Sequence, residues 1–427
     1  MPKLNSMLKY YPALVLALFS LSPLAQSEEL SLSKAVQAAW SHHPSGRQAA
    51  ASIRAKEAGV MGARAAYYPT ASFTGALRED SAIPDMQANT LLSGQWTVWD
   101  SGLTGFRVSA AEAQLVASQR MARTMAESQA LQIVAGWLDI TEKAANSEVY
   151  RSQSNQAQRW ADTTIAKKHL GLVSGVDVQL ALANAHHAKV QLALAEARQK
   201  AAELDLSAQT GLTVAAANLA SLAEEEARHL EDELNSDTSD NGKVRQVEAQ
   251  ERVAATNLRV AETGYRPSLT IQATQQWQER AGLSDSSRFA GATLSIPLFT
   301  GGSHDAKVKE ARAQLDLASE LLAETKLTQS TELQNAKTLR LALDSVVTAA
   351  TEAKAAAGLA QELARGRYET GVGNFQELLQ AQSQLTQSAL AVVQARAQRL
   401  AQQMLIYQLA GELISRLAEF PNTYGKD

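Results

Sequence analysis

Two carboxylates that lie 200 positions apart are the first candidates for a chemical role. Asp177 and Glu377 each follow a pair of glycines, and Tyr368 stands just before the second pair. A carboxylate after a turn can attract cations, or it can stabilise the N-terminal end of the helix that begins there. The sequence leaves both roles open. The glycines concerned are Gly171, Gly175, Gly371 and Gly373.

The signature motifs of the common enzyme classes are missing from the sequence. It has no Gly-x-Ser-x-Gly motif, no phosphate-binding Gly-Lys-Ser/Thr loop and no His-Glu-x-x-His. The histidine pairs at 42–43 and 186–187 consist of adjacent residues, which point to different faces of a helix and cannot jointly bind a metal. We therefore expect no enzymatic activity, no cofactor and no metal site.

The composition indicates an exported protein that does not bind nucleic acid. The 427 residues have a net charge of −4, so no general attraction to phosphate backbones is expected. Residues 1–27 contain two lysines before an apolar run and end with small residues, which is typical of a secretory signal peptide. Because the sequence has no cysteine, a lipid-modified N-terminus is not expected, and attachment to a membrane would have to come from the folded chain.

An internal repeat divides the rest of the chain into two similar halves. The tetrapeptide Trp99-Asp100-Ser101-Gly102 is matched 200 residues later by Phe299-Thr300-Gly301-Gly302, and an alanine-rich, helix-forming sequence follows in both halves. Such repetition indicates repeated structural units. We predict repeat 1 at 28–211, an acidic linker at 212–242, repeat 2 at 243–417 and a short tail at 418–427.

Each half contains two stretches in which apolar and polar residues alternate. This period of two predicts β-strands with one apolar face. About ten residues suffice for a strand that crosses a bilayer, but a hairpin on a soluble domain has the same pattern. Four strands are too few to close a barrel around water, so a membrane location requires several chains to share one barrel. The predicted strands lie at about 69–79, 89–99, 267–278 and 288–299.

Long helix-forming stretches follow the second strand of each half. Residues 103–169 and 305–369 contain almost no helix breakers. At 1.5 Å per residue each helix would extend about 100 Å. Tips near 170–177 and 370–377 contain glycine and turn the chain into helical hairpins. The predicted fold class is mixed α+β, with two tandem repeats that each combine two strands and a long helical hairpin.

These features together resemble the TolC-like family of outer-membrane efflux proteins. The resemblance rests on the export signal, the repeat, Tyr67-Tyr68-Pro69 before a strand, and the two tetrapeptides before the long helices. It implies a homotrimer with one twelve-stranded β-barrel and a periplasmic α-barrel, with the linker 212–242 at its equator. It also implies the outer membrane of a Gram-negative bacterium as location, with a large periplasmic portion. The implied partners are outer-membrane lipid, a periplasmic adaptor and an inner-membrane transporter.

The resemblance further implies roles for particular residues. Asp177, Tyr368 and Glu377 correspond to residues at the periplasmic aperture, and three copies of Glu377 would form a ring that attracts cations. The sequence departs from the family pattern at Gly373, where an arginine is usual, and at Gln380, where a second acidic ring would lie. The tip residues Gly171, Gly175, Gly371 and Gly373 are implied in hairpin turns and adaptor docking. An aromatic belt of the barrel is expected at Tyr67, Tyr68, Trp96, Trp99, Tyr265 and Phe299.

The implied function is export without chemistry by the duct itself. Many drug-efflux members of the family have a lipidated N-terminal cysteine, so the cysteine-free sequence favours type I protein secretion or multipurpose efflux. A small-molecule duct for drugs or metals, within the same family, is the first alternative. A non-membrane coiled-coil protein, such as a periplasmic adaptor or a structural protein, is the alternative from another class, because the long helices alone would suffice for it.

Overall fold

The computed structural model describes residues 30–80, 83–216, 238–280 and 283–416. The expected signal peptide, the tail at 418–427 and most of the linker lie outside the described residues. Repeat 1 contains α1 (Leu32–His42), α2 (Pro44–Ala65), β1 (Thr70–Asp80), β2 (Ile83–Trp99), α3 (Leu103–His169) and α4 (Gly175–Thr210). After a 3₁₀ turn at Thr238–Asp240, repeat 2 contains α5 (Gly242–Ala261), β3 (Ser268–Arg280), β4 (Leu283–Ser295), α6 (Ser303–Glu369), α7 (Phe375–Leu409) and the short α8 (Leu413–Arg416).

The long helices of the two repeats correspond residue by residue. Helices α3 and α6 each contain 67 residues, and their first residues are 200 positions apart. Each helix follows a glycine in the left-handed region, Gly102 with φ 88° and Gly302 with φ 85°, a conformation that glycine adopts without a Cβ clash. At 1.5 Å per residue both helices are about 100 Å long.

Strands β2 and β4 differ from the sequence-based expectation. Strand β2 begins at Ile83, six residues before the expected 89. Proline ends two elements: α1 stops before His43, because the residue before Pro44 is driven out of the helical conformation into the extended region. Strand β4 runs from Leu283 to Ser295, so the expected strand at 288–299 begins and ends too late. Pro297 has no N–H to donate to a neighbouring strand, which ends the pairing before it.

The four strands form one antiparallel sheet in the order β1-β2-β3-β4. Within the described residues, β1 and β4 each pair on one side only. One face is mainly polar, with Leu91 and Phe289 as exceptions, and hydrogen bonds on it join Ser72 to Ser93 (2.7 Å) and Gln276 Nε2 to Asn89 Oδ1 (3.1 Å). From the end of the sheet nearest the long helices to its middle, the other face is mainly apolar. It includes Ala71, Phe73, Leu77, Leu92, Trp96, Ile271, Ala273, Ala292 and Leu294.

The helices pack around α3, which contacts α2, α4, α5 and α7, whereas α6 packs mainly on α5 and α7. The largest core cluster lies at mid-height and includes Val36, Ile133, Trp137, Leu206 and Tyr407. A second cluster lies near the hairpin tips and includes Trp160, Tyr368, Phe375 and Leu378. None of the helices in the described ranges is long and apolar enough to cross a bilayer.

Two buried glutamates lie where the chain leaves repeat 1 and enters repeat 2. Burial raises the pKa of Glu127 above the usual glutamate value, and the hydrogen bond from Arg123 Nε (3.2 Å) offsets this only in part. Its carboxylate lies against Gly242, where a Cβ would collide with it. Burial also acts to raise the pKa of Glu203, but hydrogen bonds from the Ala216 N–H (3.0 Å), Lys200 and Gln199 outweigh it and lower the pKa.

Candidate functional site at the helical hairpin tips

Both hairpins turn through the same helix-ending motif. At the end of α3, the N–H of Gly171 donates to the carbonyl of Lys168 (2.9 Å) and the N–H of Leu172 to that of Lys167 (3.0 Å). At the end of α6, Gly371 and Val372 donate in the same pattern, at 3.3 and 3.0 Å. This is the Schellman arrangement, and it requires a left-handed residue, here Gly171 with φ 72° and Gly371 with φ 78°.

The two other tip glycines occupy different positions. Gly175 is the first residue of α4, after the cap Ser174. Gly373 lies within the turn, and a Cβ there would come within 3.0 Å of the Arg367 Cβ and 3.2 Å of the Arg367 carbonyl carbon. A side chain at 373 would therefore have to displace the end of α6.

Asp177 and Glu377 occupy equivalent positions but have different partners. Asp177 forms a capping box with Ser174: the Ser174 N–H donates to Asp177 Oδ2 (3.1 Å), and the Asp177 N–H donates to Ser174 Oγ (3.2 Å). At the start of α7, Asn374 Oδ1 accepts from the Glu377 N–H (2.7 Å), so the Glu377 carboxylate is not needed for the cap. That carboxylate instead accepts from Arg367 Nη1 at 2.7 Å. Asp177 therefore stabilises a helix end locally, whereas Glu377 forms an ion pair across its turn.

Tyr368 joins the two hairpins. Its side chain is 7% exposed, and its hydroxyl lies 3.1 Å from Thr164 Oγ1 on α3. Lys167 Nζ donates to the Tyr368 carbonyl (3.2 Å) and lies 4.3 Å from the centre of the tyrosine ring. The ring also packs against Phe375 at 5.3 Å. Tyr368 thus holds the end of α6 against α3 by a buried hydrogen bond, a cation–π contact and apolar packing.

Sequence reasoning identified Tyr368 and Glu377 but missed their partners Thr164, Lys167 and Arg367. A lysine in the last turn of a helix is common, because it complements the helix dipole, so Lys167 gives no distinct signal. The pairing of Arg367 with Glu377 depends on the turn between them and follows no helical period. Gln380 is exposed on α7 and supplies no carboxylate.

The six aromatic residues expected in a belt lie at the end of the sheet where the helices begin. Tyr67, Tyr68 and Tyr265 precede β1 and β3, Trp96 and Trp99 are at the end of β2, and Phe299 follows β4. Trp96 Nε1 donates to the Tyr67 carbonyl (2.9 Å), and the Tyr265 hydroxyl lies 3.3 Å from Thr300 Oγ1. Exposed apolar rings with anchored polar atoms are typical of an interface between apolar and aqueous surroundings.

Comparisons with known proteins point to one class. Residues 236–412 match the family described as outer membrane efflux protein. Protein CyaE of Bordetella pertussis is 27% identical to the chain over an alignment of 411 residues that covers 92% of this chain and 86% of that protein. The outer membrane protein VceC from Vibrio cholerae has a TM-score of 0.72 at 19% identity, covering 89% of this chain and 96% of that chain. The Campylobacter jejuni CmeC outer membrane channel has a TM-score of 0.74 at 15% identity, covering 96% and 94%.

The family match lies mainly in repeat 2, whereas the structural similarity extends over both repeats. The predicted mixed α+β fold class with tandem repeats is confirmed. These matches do not support the alternative of a non-membrane coiled-coil protein. The resemblance recognised in the sequence is confirmed: over most of its length the chain is similar in sequence to protein CyaE and in fold to outer-membrane channels, and repeat 2 matches the outer membrane efflux protein family, as expected for a TolC-like protein.

Proposed function

We propose that three copies of this chain form one channel in the outer membrane and export substrates delivered by an inner-membrane transporter and its periplasmic adaptor. One observation carries the proposal: a four-stranded sheet with an exposed apolar face is attached to helices about 100 Å long. A sheet of this kind is unsuited to water on its apolar face. It is well suited to a barrel wall with lipid outside and water inside.

The strand count supports sharing of the barrel between chains. Closing a barrel removes the unpaired N–H and C=O groups of the edge strands, which lipid cannot satisfy. Four strands cannot enclose a water-filled lumen, because even eight leave room only for side chains or one small ligand. Three chains would supply twelve strands, with β4 of one protomer beside β1 of the next.

The helical part supports the same assembly. Helix α6 carries leucines that are largely exposed in the single chain, among them Leu317, Leu327, Leu359 and Leu363 at 64 to 71%. Exposed apolar surface of this extent is typical of a protein–protein interface. A neighbouring protomer in a helical barrel would cover this side of α6.

The hairpin tips are the proposed aperture and the proposed docking site for the adaptor. In the closed state, Thr164, Lys167 and Tyr368 would hold the second hairpin against the first, and opening would require these contacts to separate. Leu172 and Val372 at the turns are 68 and 75% exposed and would be available to a partner. Polypeptide cargo, as in the type I secretion expected from the sequence, is the proposed substrate class.

Charge placement on the sheet tests the barrel. Ala273 lies on the apolar face near the middle of β3, paired with Gly94 and Ala290, and Gln272 lies beside it on the polar face. A lysine in the lipid-facing midplane costs about 2–4 kcal/mol, so Ala273→Lys is expected to abolish the heat-sensitive trimer band of unboiled outer membranes. Gln272→Lys, the matched control, is expected to retain the band. A stable soluble monomer in the periplasmic fraction would contradict the proposal.

Removal of the Thr164 hydroxyl tests whether its contact with Tyr368 helps to close the channel. Thr164→Val replaces the hydroxyl that faces Tyr368 with a methyl group, which removes a hydrogen bond worth about 1 kcal/mol. Single-channel conductance in planar bilayers is expected to rise. Thr163→Val is the control, because the Thr163 hydroxyl donates only to the Arg159 carbonyl of its own helix. Equal conductance of both variants and the wild type would show that this contact does not close the channel.

The ion pair at the tip gives a test of the proposed ring. If Glu377 lines the aperture, Arg367 offsets its charge, so Glu377→Gln is expected to lower the cation preference and Arg367→Gln to raise it. Reversal potentials in a salt gradient measure this preference. Unchanged selectivity in both variants would place the pair away from the ion path.

A further inference from the structure

We propose that Arg288 and its neighbours on the sheet bind the phosphate of a lipopolysaccharide molecule in the outer leaflet, one per protomer. The inference rests on the proposed function, since it requires the apolar face of the sheet to be in lipid. It assigns to β3 and β4 a binding site for a phosphorylated glycolipid, in addition to their place in the barrel wall.

The apolar face has different heights on the two hairpins. On β1 and β2 it continues from the helix-proximal end to Phe73 and Leu77, which pair with Leu92 and Ala88. On β3 and β4 it stops after the pair of Ala273 with Ala290. The following rows of the same face are polar at most positions. They contain Gln275 paired with Arg288, Trp277 paired with Ser286, and Glu279 paired with Ser284.

These polar rows of β3 and β4 form a notch in the apolar surface of the sheet. Arg288 is a cation at the edge of this notch. Its side chain is exposed, and it forms no ion pair with a carboxylate of the described residues. Trp277 is its diagonal neighbour on the adjacent strand and is 42% exposed. Diagonal pairs on one face are within reach of long and aromatic side chains. Tryptophan beside arginine is a combination found where a protein surface passes from hydrocarbon to headgroups.

The position along the strands selects the outer leaflet. The helices continue from one end of the sheet, so the ends of β1 and β3 mark the opposite, distal end, and Arg288 lies in the distal half of β4. The lipid-facing apolar band of an outer-membrane barrel is about 25 Å high. A band that begins at the helix-proximal aromatic residues would end a few residues beyond the Gln275–Arg288 row. The guanidinium can extend over that distance to the headgroups.

Placing the charge of an arginine in hydrocarbon below the headgroups costs free energy when no anion is nearby. An anion bound at this depth offsets that free energy. The planar guanidinium donates two parallel hydrogen bonds to a phosphate, and Gln275 supplies a further donor beside it. The outer leaflet of a Gram-negative outer membrane consists of glycolipids whose phosphates lie at this boundary. The notch therefore suits a phosphorylated glycolipid better than a protein partner.

Native mass spectrometry of the purified trimer tests the site. The probes are bis-phosphorylated lipid A, the same lipid A after removal of its phosphates, and phosphatidylglycerol. Up to three lipid A molecules per trimer are expected for the wild-type protein. Arg288→Gln is expected to weaken lipid A binding about tenfold, the loss of one charge-assisted contact, and Arg288→Lys to weaken it less, because the ammonium keeps the charge but not the paired hydrogen bonds. Arg312→Gln, which removes an exposed positive charge from α6, is the control and is expected to bind as the wild type does.

Three results would overturn the inference: equal lipid A binding by Arg288→Gln and the wild type, equal binding of dephosphorylated lipid A, or equal binding of phosphatidylglycerol. The last result would mean a general site for lipid phosphate. Failure of the proposed function is seen separately, because the wild-type protein would then give no trimer in outer membranes. Arg288→Gln makes the outward face more apolar, so its trimer is expected to assemble, and the same gel verifies this.

Discussion

Helices α3 and α6 have the same length and equivalent places in the two repeats, but they are buried to different extents. Seventeen residues of α3 are buried within the protomer, against eight of α6. Helix α3 has neighbours on several sides, whereas α6 lies at the margin and packs mainly on α5 and α7. Repeat 1 therefore supplies the centre of the folded chain, and repeat 2 supplies its border.

Equivalent positions in the two helices show the same contrast. Ile133 and Leu333 are both buried, as expected for equivalent positions. Glu127, however, is buried in α3, while its counterpart Leu327 in α6 is 69% exposed. A buried acid and an exposed leucine reverse the usual preference. Each requires a particular environment: ion-pair and hydrogen-bond partners for the glutamate, and apolar contact from outside the protomer for the leucine.

The largest effect is expected from Trp137→Ala, which removes a fully buried ring from the main core cluster around α3. Loss of such a side chain typically costs about 3–5 kcal/mol. Urea unfolding in detergent, followed by circular dichroism, measures it. Lys337→Ala at the equivalent position of α6 is the comparison and is expected to cost less than Trp137→Ala, because Lys337 is only half-buried. Similar costs for both variants would remove the distinction between centre and border.

A second pair of variants compares the ends of the two helical hairpins. Gly211 and Gly411 both have positive φ, at 72° and 76°, so alanine is strained at either position by about 1–2 kcal/mol. At Gly411 the added Cβ would also collide with the Asp240 carbonyl oxygen, whereas at Gly211 it would meet the movable ring of His42. Gly411→Ala is therefore expected to lower the unfolding temperature more than Gly211→Ala. The reverse order would show that the repeat 2 junction adapts more easily.

A third test addresses the exposed side of α6. Leu359 and Leu363 are four residues apart on one helix face, at 64 and 71% exposure. Leu359→Gln with Leu363→Gln is expected to weaken the trimer by roughly 1–3 kcal/mol per protomer while the separated protomer unfolds as the wild type does. Gel electrophoresis over a temperature series measures dissociation. Unchanged trimer stability would show that these leucines contact no neighbouring protomer.

The smallest effect is expected from the two buried glutamates, and it has opposite signs. The raised pKa of Glu127 means that the native state binds its proton more readily than the unfolded state does, so its contribution to stability falls as the pH rises above about 4.3. Glu127→Gln is expected to stabilise the protein at pH 7. The pKa of Glu203 is lowered, so its contribution is present at neutral pH and is lost on acidification. Glu203→Gln is expected to destabilise at pH 7, and thermal unfolding at pH 7 and at about pH 4, below the usual glutamate pKa, measures both variants. The same sign for both variants would contradict the assigned environments.

Much of the fold could be predicted from local sequence patterns. The alternation in the strands, the breaker-free helices and the glycines at 171 and 371 each act over a few residues, and the repeat doubles the evidence for each. The predicted end of β4 at 299 was wrong because alternation continues through Ile296 and Leu298, while Pro297 stops the pairing. At the tips, the turns were accessible to sequence reasoning, whereas the partners of Tyr368 and Glu377 were not.

The helices and strands, the places where the hairpins turn, and the succession of two similar units follow from the amino-acid sequence alone. The packed fold is needed to show which unit lies at the centre, which glutamates are buried, that Thr164 meets Tyr368, and that Arg288 lies on the apolar face of the sheet. The two groups of features differ in the range of the interactions that produce them. Periodicity and turn chemistry depend on neighbours along the chain, whereas burial, cross-strand register and contacts between hairpins depend on residues far apart in it, such as Thr164 and Tyr368, which are 204 positions apart.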